Sequence, residues 1–156
     1  MYARALRGNR ARGTRPQKRG KNVSMIAAIA LKGIVTSINL LGATDGLTFE
    51  AFVMQLLVPN LWQGATVVWD NSSIHKGEEV ELAIRKAGAR LINLPPYSPD
   101  FNPIENCWSK LKEFLRSQES RTREELDSSI DKALNLIPAK DIVGWFTHCC
   151  YYVPSN

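Results

Sequence analysis

The sequence has 156 residues, of which 44% are hydrophobic and 22% charged, with a formal net charge of +5, and this composition is typical of one globular domain with a single core. Its longest apolar run, 25–31, is far shorter than the roughly 20 residues of a membrane span, and no signal-peptide core follows Met1, so we expect a soluble, intracellular protein without a membrane partner. The three cysteines lack the paired spacing of a zinc site and the framework of a secreted scaffold, and we expect buried thiols.

Residues 1–22 form a basic arm. Eight lysines and arginines and no acidic residue occur before residue 22, whereas the rest of the chain carries twelve basic and fifteen acidic residues. Such an arm suits a phosphate backbone, because each cation that binds a phosphate releases a condensed counterion. The alternative interpretation is a solvated tail. If the arm binds DNA, the expected contacts come from Arg4, Arg7, Arg10, Arg12 and Arg15.

A hairpin and a helix are predicted after the arm. Two short apolar runs, 24–31 and 34–41, are separated by Lys32 and Gly33, which is the pattern of two antiparallel strands joined by a tight turn. Apolar residues at helical spacing then predict a helix. Its expected N-cap is Thr48.

A strand, a helix and a second strand follow. The apolar residues 66–69 predict a buried strand with Asp70 at its C-terminal end. The segment 76–87 has one apolar face at helical spacing, and Gly88 is typical of the residue that ends a helix. The next strand is expected at 90–94.

The last part of the chain is predicted to be helical. A proline-rich loop at 95–103 precedes a helix with an apolar stripe, and the capping box formed by Thr122 and Glu125 begins another. A final helix is expected around 140–151. This order of elements indicates an α/β domain with a mixed sheet flanked by helices.

Two carboxylates occupy positions suited to chemistry. Asp70 lies where an apolar strand meets a polar loop, the edge at which α/β sheets usually present functional groups. Glu105 lies in the first turn of a helix. Such a pair could hold Mg²⁺, a hard cation that takes carboxylate oxygens. Two such ions would activate a water or a 3′-hydroxyl for attack on a phosphodiester.

Each of these residues also has a structural interpretation. An aspartate after a strand is often a turn former, and Glu105 could complete a capping box with Asn102 at the start of its helix. His75 could orient a carboxylate or contact DNA, or be incidental in a polar loop. Tyr97 could stack on a base or pack within its proline-rich loop.

The motifs around these carboxylates resemble one family. W-D-N-x-x-x-H ends at His75, 34 residues separate Asp70 from Glu105, and P-P-Y-S-P-D-F-N-P-I-E at 95–105 is followed by W-S-x-L-K. Together with M-I-A-A-I-A-L-K-G at 25–33, these residues resemble the DDE-type transposases of mariner-like elements and their bacterial insertion-sequence relatives.

The resemblance implies a fold and an activity. The fold would be RNase H-like, as in retroviral integrases, and Asp70 and Glu105 would be the second and third carboxylates of a DDE triad that binds two Mg²⁺ or Mn²⁺ ions. The implied activity is cleavage of DNA at element ends followed by strand transfer. The implied partners are transposon-end and target DNA and, at full length, a second copy of the protein. The implied location is the cytoplasm in association with the nucleoid, with a bacterial source favoured over a eukaryotic one.

The sequence departs from the family at its N-terminal end. In the family, the first carboxylate lies on a first strand that precedes the segment matched here, yet Asp45 is the first acidic residue of this chain. Asp45 and Glu50 belong to the start of the next helix and do not replace it. We therefore expect 23–156 to be an N-terminally truncated catalytic domain without its first strand, and to be inactive alone. The alternatives are a remnant that only binds DNA and, less compatible with the motifs, a nuclease for RNA–DNA hybrids or junctions.

Overall fold

The computed structural model describes residues 22–75 and 77–152. The predicted basic arm, including Arg4, Arg7, Arg10, Arg12 and Arg15, lies outside these residues. The described chain contains four strands and five α-helices, with short 3₁₀ and π turns between them. The α/β class expected from the order of elements is therefore confirmed.

The first two strands form the predicted hairpin. Strand β1 (Val23–Ala30) pairs antiparallel with β2 (Gly33–Leu41), and the register shifts after Ala28. Gly33 has a φ of +140°. Residues with a side chain rarely adopt this backbone conformation, so glycine suits this position of the tight turn.

The first helix begins earlier than predicted. Helix α1 (Gly46–Phe52) runs on into a π turn (Val53–Leu57), and its N-cap is Asp45 rather than Thr48. Asp45 has an extended backbone, and its carboxylate accepts a hydrogen bond from the Thr48 amide at 2.8 Å. Hydrogen bonds from the Thr48 side chain and from the Thr48 amide lower the pKa of Asp45. Both residue types can cap a helix, but Thr48 already lies inside the first turn.

A parallel pair of strands follows. Strand β3 (Thr66–Trp69) pairs in parallel with β4 (Arg90–Asn93), and helix α2 (Glu78–Lys86) makes the connection. Gly88, with a φ of +78°, follows this helix as expected. The buried core lies between α1, its π turn, α2 and β3, and includes Phe49, Phe52, Val53, Leu57, Trp69, Val80 and Ile84.

The strands form two separate pairs. Among the described residues, β1 pairs only with β2, and β3 pairs only with β4. The predicted mixed sheet therefore consists here of one antiparallel and one parallel pair. Residues of β1 and β3 line the same cavity, which has a volume of about 630 Å³.

Three helices complete the described chain. Helix α3 (Pro103–Gln118) packs against α4 (Arg123–Asn135) and α5 (Ala139–His148). An ion pair between Lys110 and Asp141 links α3 to α5. None of the helices in the described ranges is long and apolar enough to cross a membrane.

The cysteines differ in exposure. Cys107 and Cys149 are buried, as predicted, but the prediction is wrong for Cys150, which is exposed. Burial raises the pKa of the Cys107 thiol to about 11. Cys150 has a φ of +63° just after α5 ends, and this turn leaves its side chain in solvent.

The predicted capping box at the start of α4 is present. Thr122 Oγ1 accepts from the Glu125 amide at 3.1 Å, and the Glu125 carboxylate accepts from the Thr122 amide at 3.3 Å. We expect Thr122→Ala to destabilise the protein by about 1 kcal/mol, because loss of an N-cap typically costs that much. The melting temperature should fall by roughly 2–4 °C in thermal denaturation. The matched control is Ser128→Ala on the exposed face of α4, and equal melting temperatures for both variants would contradict the role of the cap.

Candidate active site

Asp70 is presented at the C-terminal end of β3. Its carboxylate is half-exposed, and its Oδ1 accepts a hydrogen bond from the Ser72 amide at 2.9 Å. The same Oδ1 lies 2.8 Å from Nδ1 of His75. Its Oδ2 has no hydrogen-bond partner within the described residues, so one oxygen of this carboxylate stays open for a ligand.

His75 is held by two aromatic rings. It ends a short 3₁₀ turn (Ser73–His75), and its ring centroid lies 4.3 Å from that of Phe49 and 5.5 Å from that of Trp69. The side chain is only 17% exposed. The ring therefore has little freedom to turn away from Asp70.

Glu105 lies in the first turn of α3. Asn102 occupies the N-cap position, as predicted, but its side chain makes no capping hydrogen bond, so the expected capping box is not formed. Asn102 is 8% exposed, whereas the exposed Glu105 side chain has no hydrogen-bond or ion-pair partner elsewhere in the described chain. Glu105 therefore does not form the capping box that was its structural alternative.

The two carboxylates line the same two cavities. Asp70 and Glu105 both border the cavity between the strand pairs, and both border a second cavity of about 370 Å³ formed with the loop 95–99. Tyr97 belongs to this loop, is fully exposed and has a φ of +58°. A bulky residue in this backbone region is uncommon and often marks a functional site.

Two carboxylates at one cavity are the type of ligand that a hard divalent cation takes. Mg²⁺ is usually held by one or two carboxylates, with water and substrate phosphates completing its coordination, and Asp70 and Glu105 supply such a pair. Within 22–75 and 77–152, no group of three or more His, Cys, Asp or Glu side chains is arranged to hold a metal.

The sequence did not predict that Phe49 and Trp69 pack against His75. Phe49 and Trp69 were assigned only to the core, and both are indeed buried. Their contact with His75 joins α1, β3 and the turn after β3. No local spacing signals it, because Phe49 lies on a different element, far from His75 in the sequence.

The sequence matches one protein family over most of its length. Residues 1–127 match the family described as DDE superfamily endonuclease. The Tcb1 transposase of Caenorhabditis briggsae is 25% identical over 103 residues, which are 64% of this chain and 38% of that protein. The Tc1 transposase of Caenorhabditis elegans is 26% identical over 90 residues, which are 58% of this chain and 33% of that protein.

Solved structures share the fold. The Mos1 strand transfer complex matches with a TM-score of 0.74 and 15% identity over 96% of this chain and 45% of that chain. The Mos1 mariner paired end complex with Mn matches with a TM-score of 0.72 and 16% identity over 95% of this chain and 46% of that chain. This likeness confirms the predicted RNase H-like fold. The chain spans less than half the length of each of these proteins.

Proposed function

The chain belongs to the DDE superfamily endonuclease family, and from this premise we propose that it is a transposase catalytic domain that cuts DNA at element ends and transfers the cut strand. The observation that carries the proposal is the placement of Asp70 and Glu105. The two carboxylates have the family spacing, border the same two cavities, and each leaves oxygen atoms open.

The proposed reaction is an in-line displacement at phosphorus. A water, or later a 3′-hydroxyl, forms a new O–P bond while the bond from phosphorus to the leaving 3′-oxygen breaks. Asp70 and Glu105 would hold Mg²⁺ or Mn²⁺, two ions in all, which when bound activate the nucleophile and stabilise the leaving oxygen. The Mos1 paired end complex is described with Mn, which supports this choice of metal.

We place the first carboxylate of the triad on a strand that pairs between β1 and β3. Both strands line the cavity that separates the two pairs, and Asp70 stands at its border. A strand there would satisfy backbone groups on both neighbours and bring its C-terminal end beside Asp70. No acidic residue precedes Asp45 in this chain, so the chain by itself should bind DNA without cutting it.

DNA is the proposed partner of both the arm and the site. The eight cations before residue 22 suit the phosphate backbone, and the exposed Tyr97 ring lies on the loop beside the carboxylates, where it could stack on an unpaired base. The Mos1 structures are described as a strand transfer complex and a paired end complex, which supports DNA ends as the substrate. We also propose a homodimer as the assembled form. We propose that this activity takes place on chromosomal DNA. A bacterial source gains no support from the two nematode relatives.

Deleting residues 1–21 should weaken DNA binding and flatten its salt dependence. Each neutralised phosphate contributes about −0.9 to the slope of log K against log salt, so loss of eight cations should reduce the slope by several units. Fluorescence anisotropy with duplex DNA over a range of salt concentrations measures both quantities. A control in which the five predicted arginine contacts become lysine keeps the charge and should keep the slope. An unchanged slope after deletion would make the arm a solvated tail.

A second candidate function is DNA binding without catalysis. The observation in its favour is that the described residues offer two carboxylates at the same cavities and no cluster of three metal-ligand side chains. Nicking of supercoiled plasmid by the purified chain in Mg²⁺ or Mn²⁺, abolished by a chelator, would support catalysis by this chain as it stands. Binding without nicking by the chain alone agrees with both candidates. Nicking gained when an upstream strand that carries an aspartate is added favours the first candidate, and no nicking in that extended chain favours the second.

A further inference from the structure

The two oxygens of the Asp70 carboxylate have different surroundings. Oδ1 lies within hydrogen-bond distance of two donors, the Ser72 amide at 2.9 Å and His75 Nδ1 at 2.8 Å. Oδ2 has no such partner among the residues that the structure describes. Rotation about the last side-chain bond of Asp70 would break the hydrogen bond from the Ser72 amide and the contact with His75.

The His75 ring is fixed independently of this contact. Phe49 and Trp69 both pack against the ring, with interplanar angles of 34° and 36°. Phe49 and Trp69 also contact each other edge to face, with centroids 5.5 Å apart. Both rings are buried in the core, so the position of the His75 ring is set by the packing of α1 on β3.

The contact also defines which nitrogen carries the proton. A backbone carbonyl oxygen can only accept, so the 3.3 Å hydrogen bond between His75 Nδ1 and the backbone oxygen of Asp70 requires a hydrogen on Nδ1. Asp70 Oδ1 lies 2.8 Å from the same nitrogen. With Nδ1 committed and the side chain 17% exposed, His75 is poorly placed to contact DNA.

We propose that His75 is a positioning residue that locks the Asp70 carboxylate so that Oδ2 is the oxygen presented to the metal. This inference rests on the proposed function, since it assigns a role toward the same metal. Partners that orient a ligand are often nearly as important as the ligand itself, and their loss typically weakens metal binding about 10–100-fold. His75 and the Ser72 amide together are such partners for Asp70.

Two substitutions separate positioning from packing. His75→Phe keeps an aromatic ring against Phe49 and Trp69 but removes the donor. His75→Asn removes the ring but keeps an N–H group attached to Cγ, near the position of Nδ1. We expect His75→Phe to fold normally and bind Mn²⁺ at least about tenfold more weakly. His75→Asn should be less stable yet bind Mn²⁺ more tightly than His75→Phe.

The measurements are thermal denaturation, titration of the full chain with Mn²⁺ alone by calorimetry, and ¹⁵N NMR of the histidine rings. His148→Ala assigns the second histidine, which is exposed. The NMR spectrum should show a hydrogen on Nδ1 of His75 whose signal shifts in Asp70→Asn. A hydrogen on Nε2 instead, a signal unmoved by Asp70→Asn, or wild-type Mn²⁺ affinity in His75→Phe would overturn the positioning role. A wild-type chain that binds no Mn²⁺ would overturn the proposed metal site. In that case the NMR result alone decides whether His75 positions Asp70.

Discussion

Fusing an aspartate-bearing strand upstream of residue 1 should give this chain metal-dependent nicking activity and raise its melting temperature together. The strand would pair with β1 and β3, which in the described chain each have a single strand partner and line a common cavity. Four to six new ladder hydrogen bonds at about 1 kcal/mol each, with each kcal/mol worth roughly 2–4 °C in a chain of this size, imply an increase on the order of 10–20 °C. The aspartate would stand beside Asp70 and complete the set of three carboxylates.

The control for this experiment is the same strand with asparagine in place of aspartate. It should raise the melting temperature equally, because backbone pairing does not depend on the side chain, and it should leave plasmid DNA intact in Mg²⁺ and Mn²⁺. Differential scanning calorimetry and a plasmid-nicking assay measure the two effects. If the aspartate strand changes neither stability nor nicking, the cavity between β1 and β3 does not accept a strand and the proposed arrangement of three carboxylates is wrong.

Asp70→Asn and Glu105→Gln, each made in the strand-extended chain, should abolish nicking while leaving the fold intact. Metal ions supply several kcal/mol of transition-state stabilisation, and each 1.4 kcal/mol is tenfold in rate, so we expect a loss of about a thousandfold or more. In Asp70→Asn, the side-chain amide oxygen can still accept from the Ser72 amide, and Glu105 is exposed. Neither change should alter the melting temperature by more than roughly 2 °C.

Asp100→Asn is the matched control for these two variants. Asp100 is an exposed carboxylate in the loop just before α3, and it does not line the cavities shared by Asp70 and Glu105. Its substitution should leave the nicking rate within about twofold, as is usual for surface positions. Full nicking activity in Asp70→Asn, or an equal loss of nicking activity in Asp100→Asn, would contradict the assignment of Asp70 and Glu105 as the metal-binding pair.

The order of secondary-structure elements was predictable from local patterns. Strand β3 has the predicted bounds, and the capping box of α4 and the glycine after α2 are where their signatures indicated. These features depend on the spacing of apolar residues and on hydrogen bonds between backbone groups and nearby residues. A short stretch of sequence is therefore enough to predict them. The sequence also identified Asp70 and Glu105 as candidates, from their motifs and from the 34 residues between them.

Other features were decided only by tertiary structure. Asp45 rather than Thr48 caps α1, and Asn102 does not bond Glu105 in a capping box, because similar capping residues compete and the path of the chain selects among them. The strands form two pairs, and Phe49 and Trp69 pack against His75. Both arrangements bring together residues that are far apart in the sequence. The sequence by itself determined which side chains are available for chemistry. Packing determined which oxygen of Asp70 is held and which is free, because that depends on distances between elements that no local pattern contains.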